Sequence, residues 1–97
     1  MQVAYHPAAA QEVIEEVLFY DKRVAGLGEE FRKAVDVAVQ RVRANPLRFA
    51  SGSHGTRRCP MARFPHRLVY RIENEAVRVY AVAHPKREPG YWSKRLQ

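Results

Sequence analysis

Apolar and polar positions alternate along two stretches in the second half of the chain, on either side of the polar break Glu73-Asn74-Glu75. In the first stretch, one face consists of Leu68, Tyr70 and Ile72, and the other of Arg67, Val69 and Arg71. In the second, one face consists of Val77, Val79 and Ala81, and the other of Arg78, Tyr80, Val82 and His84. A period of two in β-branched and aromatic residues predicts two half-buried strands. The short break, with Asn74 in it, predicts a hairpin turn.

Two amphipathic helices are predicted in the first half of the chain. The first, from Ala8 to about Val24, is indicated by an apolar stripe of Val13, Ile14, Val17, Leu18 and Val24. The second, from about Glu29 to Ala44, is indicated by a stripe of Leu27, Phe31, Ala34, Val35, Ala38 and Val42. Ala25–Gly28 is the predicted turn and Asn45-Pro46 the stop, so the helices form an antiparallel hairpin.

The remaining segments complete an α+β domain that spans residues 1–97. Gln2–His6 is predicted to be an edge or joining strand, Leu47–Gly55 a loop, and Thr56–Ala62 a strand that enters the sheet ahead of the hairpin. Each helix needs a surface on which to bury its stripe, and the sheet provides it. The predicted architecture is therefore a helical hairpin packed on one face of a small antiparallel sheet.

Charge divides the chain into two unequal halves. Residues 1–40 carry four Lys/Arg and seven Asp/Glu, a balance of −3, whereas residues 41–97 carry thirteen Lys/Arg and three Asp/Glu, a balance of +10. A concentration of bases on one part of a small domain is typical of a protein that meets phosphate or an acidic partner. A solvated basic surface that only keeps the protein soluble is the simpler interpretation.

Several classes of site are not indicated by the sequence. Cys59 is the only cysteine, so an internal disulfide and a cysteine-based metal site are excluded. No Gly-rich phosphate loop, metal-ligand spacing or cofactor motif is present. The first residues do not form a signal peptide, and no apolar run is long enough to span a membrane. We expect a cytoplasmic protein without a metal or cofactor.

The chemistry that the second half offers is that of Arg, Lys, His and Tyr. These residue types suit metal-independent RNA cleavage, in which the 2′-hydroxyl attacks its own phosphate and cations stabilise the developing charge. One group must also move a proton near neutral pH, and His84 or a tyrosine beside an arginine suits that role. The alternative is structural: Tyr91 and Trp92 would clasp the chain end to the core, and strand arginines would form a solvated sheet face.

The same stretches resemble a known family. The strand RFPHRLVYRI, the following VRVYAVAH and the exit KREPGYW are similar to the C-terminal half of the RelE/ParE superfamily, the toxins of bacterial type II toxin–antitoxin (plasmid stabilisation) systems. The helical first half and its NPLRF junction extend the resemblance over nearly the whole chain. It implies the RelE/ParE-like fold and a toxin that inhibits translation as an mRNA endoribonuclease on the ribosome.

In the ribonuclease branch, the resemblance assigns catalytic roles to Arg67 before the LVY run, Arg87 after the last strand, Tyr91 near the C-terminus and His84 as a proton-transfer group. The remaining bases are expected to bind nucleic acid or an antitoxin: Arg57, Arg58, Arg63, Arg71, Arg78, Lys86, Lys94 and Arg95. If the turn centres on Asn74-Glu75, Arg71 lies opposite Arg78, a pairing of like charges that favours an anion or carboxylate between them.

One departure points to a different target. The ribonuclease branch carries lysines on the strand before the hairpin, where this chain has Cys59-Pro60-Met61. Their absence favours the branch that poisons DNA gyrase without catalysis, while Arg67, Arg87 and Tyr91 favour the ribonuclease. A third possibility is a non-toxic basic module that binds nucleic acid. Either toxin implies a hetero-oligomer with an acidic, partly disordered antitoxin that covers the basic face.

Overall fold

A five-stranded sheet is the centre of the computed structural model, which describes residues 1–97. The strands are β1 (Val3–Tyr5), β2 (Ala50–Ser51), β3 (Arg57–Pro60), β4 (Arg67–Glu73) and β5 (Ala76–Ala83), and the helices are α1 (Pro7–Arg23) and α2 (Leu27–Ala44). The spatial order is β1-β5-β4-β3-β2. All pairs are antiparallel except β1 with β5, which is parallel. The predicted α+β architecture is confirmed, and the strand predicted at Gln2–His6 is the edge strand β1, which pairs parallel to β5.

Both helices lie where the sequence predicts them, but α1 is rotated about its axis relative to the prediction. Val13 and Val17 pack on the core, whereas Ile14 is 53% and Leu18 57% exposed, and Val24 is also exposed. The buried residues of α1 are Ala9 and Glu12. The predicted stripe was therefore partly wrong. The reason is that Glu12 is drawn to the sheet by the hydrogen bonds described below, and the helix turns with it.

The second helix buries the stripe that the sequence predicts. Phe31, Val35, Ala38 and Val42 are buried against the sheet. The turn before α2 brings the two helices close together at Gly28, because a Cβ there would lie 2.3 Å from the carbonyl oxygen of Val17. The Gly28 amide also donates to Asp21 Oδ1 at 2.7 Å. Glycine is thus required by close approach of the helices and not by backbone conformation.

The predicted hairpin turn is confirmed. Asn74 (φ 50°) and Glu75 (φ 62°) both adopt the left-handed conformation that a two-residue type I′ turn needs. The register places Arg71 opposite Arg78, as expected for this turn. Two smaller features differ from the prediction. Ile72 lies at the exposed margin of its sheet face. The segment 47–55, predicted as a loop, contains β2 and a 3₁₀ turn at Ser53–Gly55.

A β-bulge changes which face the end of β5 presents. Val69 pairs with Ala81 and Tyr70 with Val79, so Tyr80 is the extra residue between them. After the bulge, Val82 joins the core beneath the helices, and Ala81 lies on the opposite face. The prediction that Ala81 shares a face with Val77 and Val79, and that Val82 shares one with Arg78, was therefore wrong. The predicted alternation of β5 is correct as far as Val79, and the extra residue Tyr80 interrupts it.

The chain end covers part of the face opposite the helices. Trp92 is buried there against Val69 and Ala81, with Tyr91 and Leu96 packed beside it. The segment ends in a 3₁₀ helix, Ser93–Leu96. This agrees with the predicted clasp for Trp92 and leaves the sheet with a small second core. Neither α1 nor α2 has the length and apolarity that crossing a membrane requires.

Candidate functional site

Three arginines from three segments meet in one cleft. Arg58 belongs to β3, Arg67 begins β4, and Arg87 lies in the segment after β5. The cleft has a volume of about 190 Å³, and its apolar lining includes Val69 and Trp92. Strand alternation explains the placement of Arg58 and Arg67. Arg58 pairs with Val69, and Arg67 lies two residues before Val69 in β4, so both arginines lie on the sheet face opposite the helices.

None of the three guanidinium groups in the cleft is paired with a carboxylate or a carbonyl of the protein. Arg87 instead lies over the ring of Tyr91, with 3.9 Å between the guanidinium carbon and the ring centroid. Stacking of this kind orients a guanidinium while leaving its N–H groups free for a ligand. The structure therefore brings together Arg67, Arg87 and Tyr91, which the sequence assigns to catalysis, and adds Arg58 to them.

The hydroxyl of Tyr91 is engaged with the protein. It donates to Glu12 Oε2 at 2.7 Å. Burial, together with the Glu12 carboxylate, raises the pKa of Tyr91 far above its ordinary value. A tyrosine in this position holds its proton at every physiological pH and directs it at Glu12. Its ring supports Arg87, and its hydroxyl fastens the chain end to α1.

Glu12 is the residue of the site that sequence reasoning missed. One carboxylate oxygen accepts from the Val82 amide at 3.0 Å, and the other accepts from Tyr91 and from Arg95 Nη2 at 3.0 Å. A signal was present, since Glu12 lies three positions after Ala9 and directly before Val13, on the side of α1 that faces the sheet.

His84, the predicted proton-transfer group, lies just beyond the end of β5, where it borders both the arginine cleft and a smaller one beside α1. Its Nδ1 accepts from the Lys86 amide at 3.0 Å. This bond assigns the neutral ring its Nε2–H tautomer, which leaves no lone pair on Nε2 to take a proton. His84 therefore stabilises the turn into residues 85–92 through Nδ1, and its Nε2–H is a hydrogen-bond donor.

The smaller cleft contains a buried histidine that carried no functional assignment. His66 is 1% exposed, its Nε2 lies 2.5 Å from Glu16 Oε2, and its ring is perpendicular to that of His84 at 4.9 Å. Burial lowers the pKa of His66, partly opposed by Glu16. No group of three His, Cys, Asp or Glu residues is placed to hold a metal ion.

Most of the other bases with a predicted binding role are paired within the protein. Arg57 donates to the carbonyls of Leu47 and Phe49, and Arg63 pairs with Glu30 beside α2. Arg95 pairs with Glu12 and donates to the Tyr80 carbonyl. Lys86 and Lys94 are exposed. These residues are therefore spread over several surfaces and do not form one site with Arg67 and Arg87.

The pair Arg71 and Arg78 meets a carboxylate of the protein itself. Arg71 forms an ion pair with Glu73 at 2.8 Å, and Glu73 also accepts from the Tyr80 hydroxyl at 2.5 Å. Arg78 lies over the Tyr80 ring, with its buried Nε unpartnered. The pairing of Arg71 with Arg78 predicts an anion or carboxylate between them, which an acidic partner could supply. Glu73 provides that negative charge internally for Arg71, so this argument for a partner is removed.

Comparison with known proteins identifies the family. The model of the ParE toxin of the type II toxin–antitoxin system parDE matches residues 3–89. Among solved structures, a chromosomal ParDE TA system from P. aeruginosa matches with a TM-score of 0.63 and 19% sequence identity, covering 87% of this chain and 95% of that one. At this identity the structural likeness establishes the fold. A search of curated proteins finds no match.

Proposed function

The chain belongs to the ParE toxins of type II toxin–antitoxin systems, and from this premise we propose that it acts by binding and poisoning DNA gyrase, without catalysis of its own. As a ParE toxin it is one half of a toxin–antitoxin pair. We further propose that its cognate antitoxin is acidic and covers part of the basic second half of the chain. The balance of +10 over residues 41–97 makes such a partner electrostatically favourable.

The observation that carries the proposal is that the cleft has cations for binding an anion but lacks the proton-transfer groups that cleavage needs. Neither of the groups assigned to proton transfer is placed to take a proton. Tyr91 donates its proton to Glu12, and His84 accepts the Lys86 amide at Nδ1. Cleavage of RNA requires a group that takes a proton from the 2′-hydroxyl and one that gives a proton to the leaving oxygen. A binding function needs neither.

The ribonuclease expected from the sequence finds no support in the family match, which is to ParE. The segment Cys59-Pro60-Met61 agrees with this, because Cys59 and Met61 are buried hydrophobic positions of the core and offer no cations to a substrate. Arg67 and Arg87 lie in one cleft, and this feature is compatible with both the ribonuclease hypothesis and the gyrase hypothesis.

The test is induced expression with and without the antitoxin, combined with assays on purified gyrase. We expect growth arrest, an SOS response and accumulation of gyrase–DNA cleavage complexes, all relieved by the antitoxin, with mRNA 5′ ends unchanged. Tyr91→Phe is the informative variant, since it keeps the ring beneath Arg87 and removes only the hydroxyl. It should retain toxicity if the role of Tyr91 is structural.

Growth arrest with new mRNA 5′ ends and an intact gyrase cycle, lost in Tyr91→Phe, would instead establish the ribonuclease. Absence of any arrest, with the protein folded, would contradict both toxic activities and leave a basic binding module.

A further inference from the structure

Unlike four other arginines of the second half, the three arginines of the cleft have no hydrogen-bond or ion-pair partner in the protein. Arg57, Arg63, Arg71 and Arg95 each donate to a carbonyl or a carboxylate of the protein. Arg58, Arg67 and Arg87 make no such bond, although they line one cleft together. The only carboxylate in that lining is the exposed Glu88. The cleft thus holds three cations against one anion.

An external anion would stabilise this arrangement. Arg58 and Arg67 lie on the same face of the neighbouring strands β3 and β4, where like charges repel one another, and their exposed side chains are accessible to a ligand. One of the cations is also held in place. Arg87 rests on Tyr91, and Tyr91 is fastened to Glu12, so little ordering of this side chain remains to be done on binding.

We propose that this cleft, formed by Arg58, Arg67 and Arg87, binds a backbone phosphate of DNA. The inference rests on the proposed function, because it identifies DNA, in addition to the gyrase protein, as a surface that the toxin touches in its target complex. A planar carboxylate is satisfied by one arginine fork, whereas phosphate oxygens diverge and accept from cations on several segments.

The surroundings of the cleft favour a polyanion over an isolated ion. Lys94 lines a further groove on the same face of the sheet. Arg71 borders that groove as well, but its charge is already met by Glu73. Arg78 faces Arg71 across the hairpin and has a buried Nε without a partner. Bases therefore continue along this face beyond the cleft, as expected for a surface that follows consecutive phosphates.

The experiment is a titration of the purified full chain into a short fluorescein-labelled DNA duplex at several NaCl concentrations. The test variant is Arg58→Ala/Arg67→Ala. The charge-matched control is Arg23→Ala/Arg48→Ala, which removes two exposed arginines that stack on Phe19 and Phe49 outside the cleft. Neither pair makes an ion pair in the protein, so we expect all variants to fold, and their melting temperatures check this.

We expect the test variant to bind the duplex at least about ten times more weakly and to lower the salt slope by about 0.9, the amount that one lost phosphate contact removes. The control should keep the wild-type slope. Inorganic phosphate should displace the duplex from the wild type more effectively than chloride at equal ionic strength, and this difference should vanish in the test variant.

An unchanged affinity and slope in Arg58→Ala/Arg67→Ala would overturn the proposal. So would loss of binding to the antitoxin or another acidic peptide while DNA binding persists, since the cleft would then take protein carboxylates. A gyrase cleavage assay separates this from the proposed function. If DNA binding depends on the cleft but gyrase is not poisoned, only the proposed function is refuted. If gyrase is poisoned and the variant binds DNA as the wild type does, only the phosphate site is refuted.

Discussion

At the scale of single residues, the arginine cleft depends on the carboxylate of Glu12, which does not line the cleft. Glu12 is 9% exposed, yet its two oxygens accept from the β5 backbone, from Tyr91 and from Arg95. A buried charge is tolerated only when it is paired and hydrogen-bonded, and here three donors meet that requirement. The tyrosine that supports Arg87 is positioned by this contact, so Glu12 acts on the cleft through Tyr91.

We predict that Glu12→Ala lowers the free energy of unfolding by about 3 kcal/mol, because it leaves the buried Val82 amide without an acceptor and removes the carboxylate that pairs with Arg95. Urea denaturation followed by circular dichroism measures the change. Glu15→Ala is the matched control, since Glu15 is exposed and accepts only a long bond from Gln11, and it should change stability by less than about 0.5 kcal/mol. Equal effects of the two substitutions would contradict the role given to Glu12.

A pH dependence is predicted from His66, whose pKa is lowered by burial. Because the folded protein binds this proton less readily than the unfolded chain, stability is complete above the unfolded value near 6.5 and falls as the pH decreases towards the folded pKa. The groups that face the ring are Glu16, His84 and Glu12. Melting temperatures measured from pH 7 downwards should therefore fall.

In His66→Gln this decrease should be smaller over the range from about pH 6.5 to 5, where carboxylates remain mostly ionised. A decrease of the same size in the variant would show that other groups are responsible.

At the scale of elements, the β4–β5 hairpin is the unit that arranges the second face of the sheet. Its turn sets Arg71 opposite Arg78, and its bulge at Tyr80 moves Ala81 to the face that Trp92 covers. Without the bulge, the end of β5 would present Val82 to the chain end and Ala81 to the helices. The Val82 amide could then not reach Glu12, so the bulge and the Glu12 contact depend on each other.

Strain at the hairpin turn gives a prediction at this scale. Glu75 adopts φ 62°, where a Cβ costs about 1 kcal/mol. Glu75→Gly should therefore stabilise the protein by up to about 1 kcal/mol, as glycine is preferred at this position of a type I′ turn. Glu75→Ala keeps the Cβ and removes the charge, so it should not stabilise. Thermal denaturation of both variants checks the prediction, and equal stabilisation would point to charge as the cause.

At the scale of the whole molecule, the sheet is covered on one face by the helical hairpin and on the other by the end of the chain. The acidic first half contributes Glu12 and Glu16 to the junction between these layers. The basic second half supplies the cleft and the bases beside it. The segregation of charge along the chain thus becomes a segregation between a helical layer and a basic sheet face, which suits a toxin that must meet both a target and an antitoxin.

The cover on the second face should be essential to stability. Trp92→Ala removes the largest side chain over Val69 and Ala81, and we expect a loss of about 3 kcal/mol. Lys94→Ala, an exposed position on the same segment, should be close to neutral. Denaturant titration compares the two. If Trp92→Ala were as stable as Lys94→Ala, the chain end would be an appendage and not part of the fold.

Local patterns in the sequence determined the helices, the hairpin with its turn, and the basic character of the second half. They succeed because helical and strand periodicity, the Asn74-Glu75 turn and the density of charge are properties of neighbouring residues. Through its resemblance to the RelE/ParE superfamily, the sequence also indicated the fold and the toxin family. It selected Arg67 and Arg87, which the structure places in one cleft.

The tertiary structure alone decided which faces these elements present and which side chains are free. The bulge at Tyr80, the rotation of α1 towards Glu12 and the contact of Glu12 with Tyr91 and Arg95 all join residues that are distant in the chain. No local pattern specifies such contacts, because their energy comes from pairing polar groups that are buried only when the layers assemble. For the same reason, the sequence could not distinguish an arginine paired within the protein from one left open to a ligand.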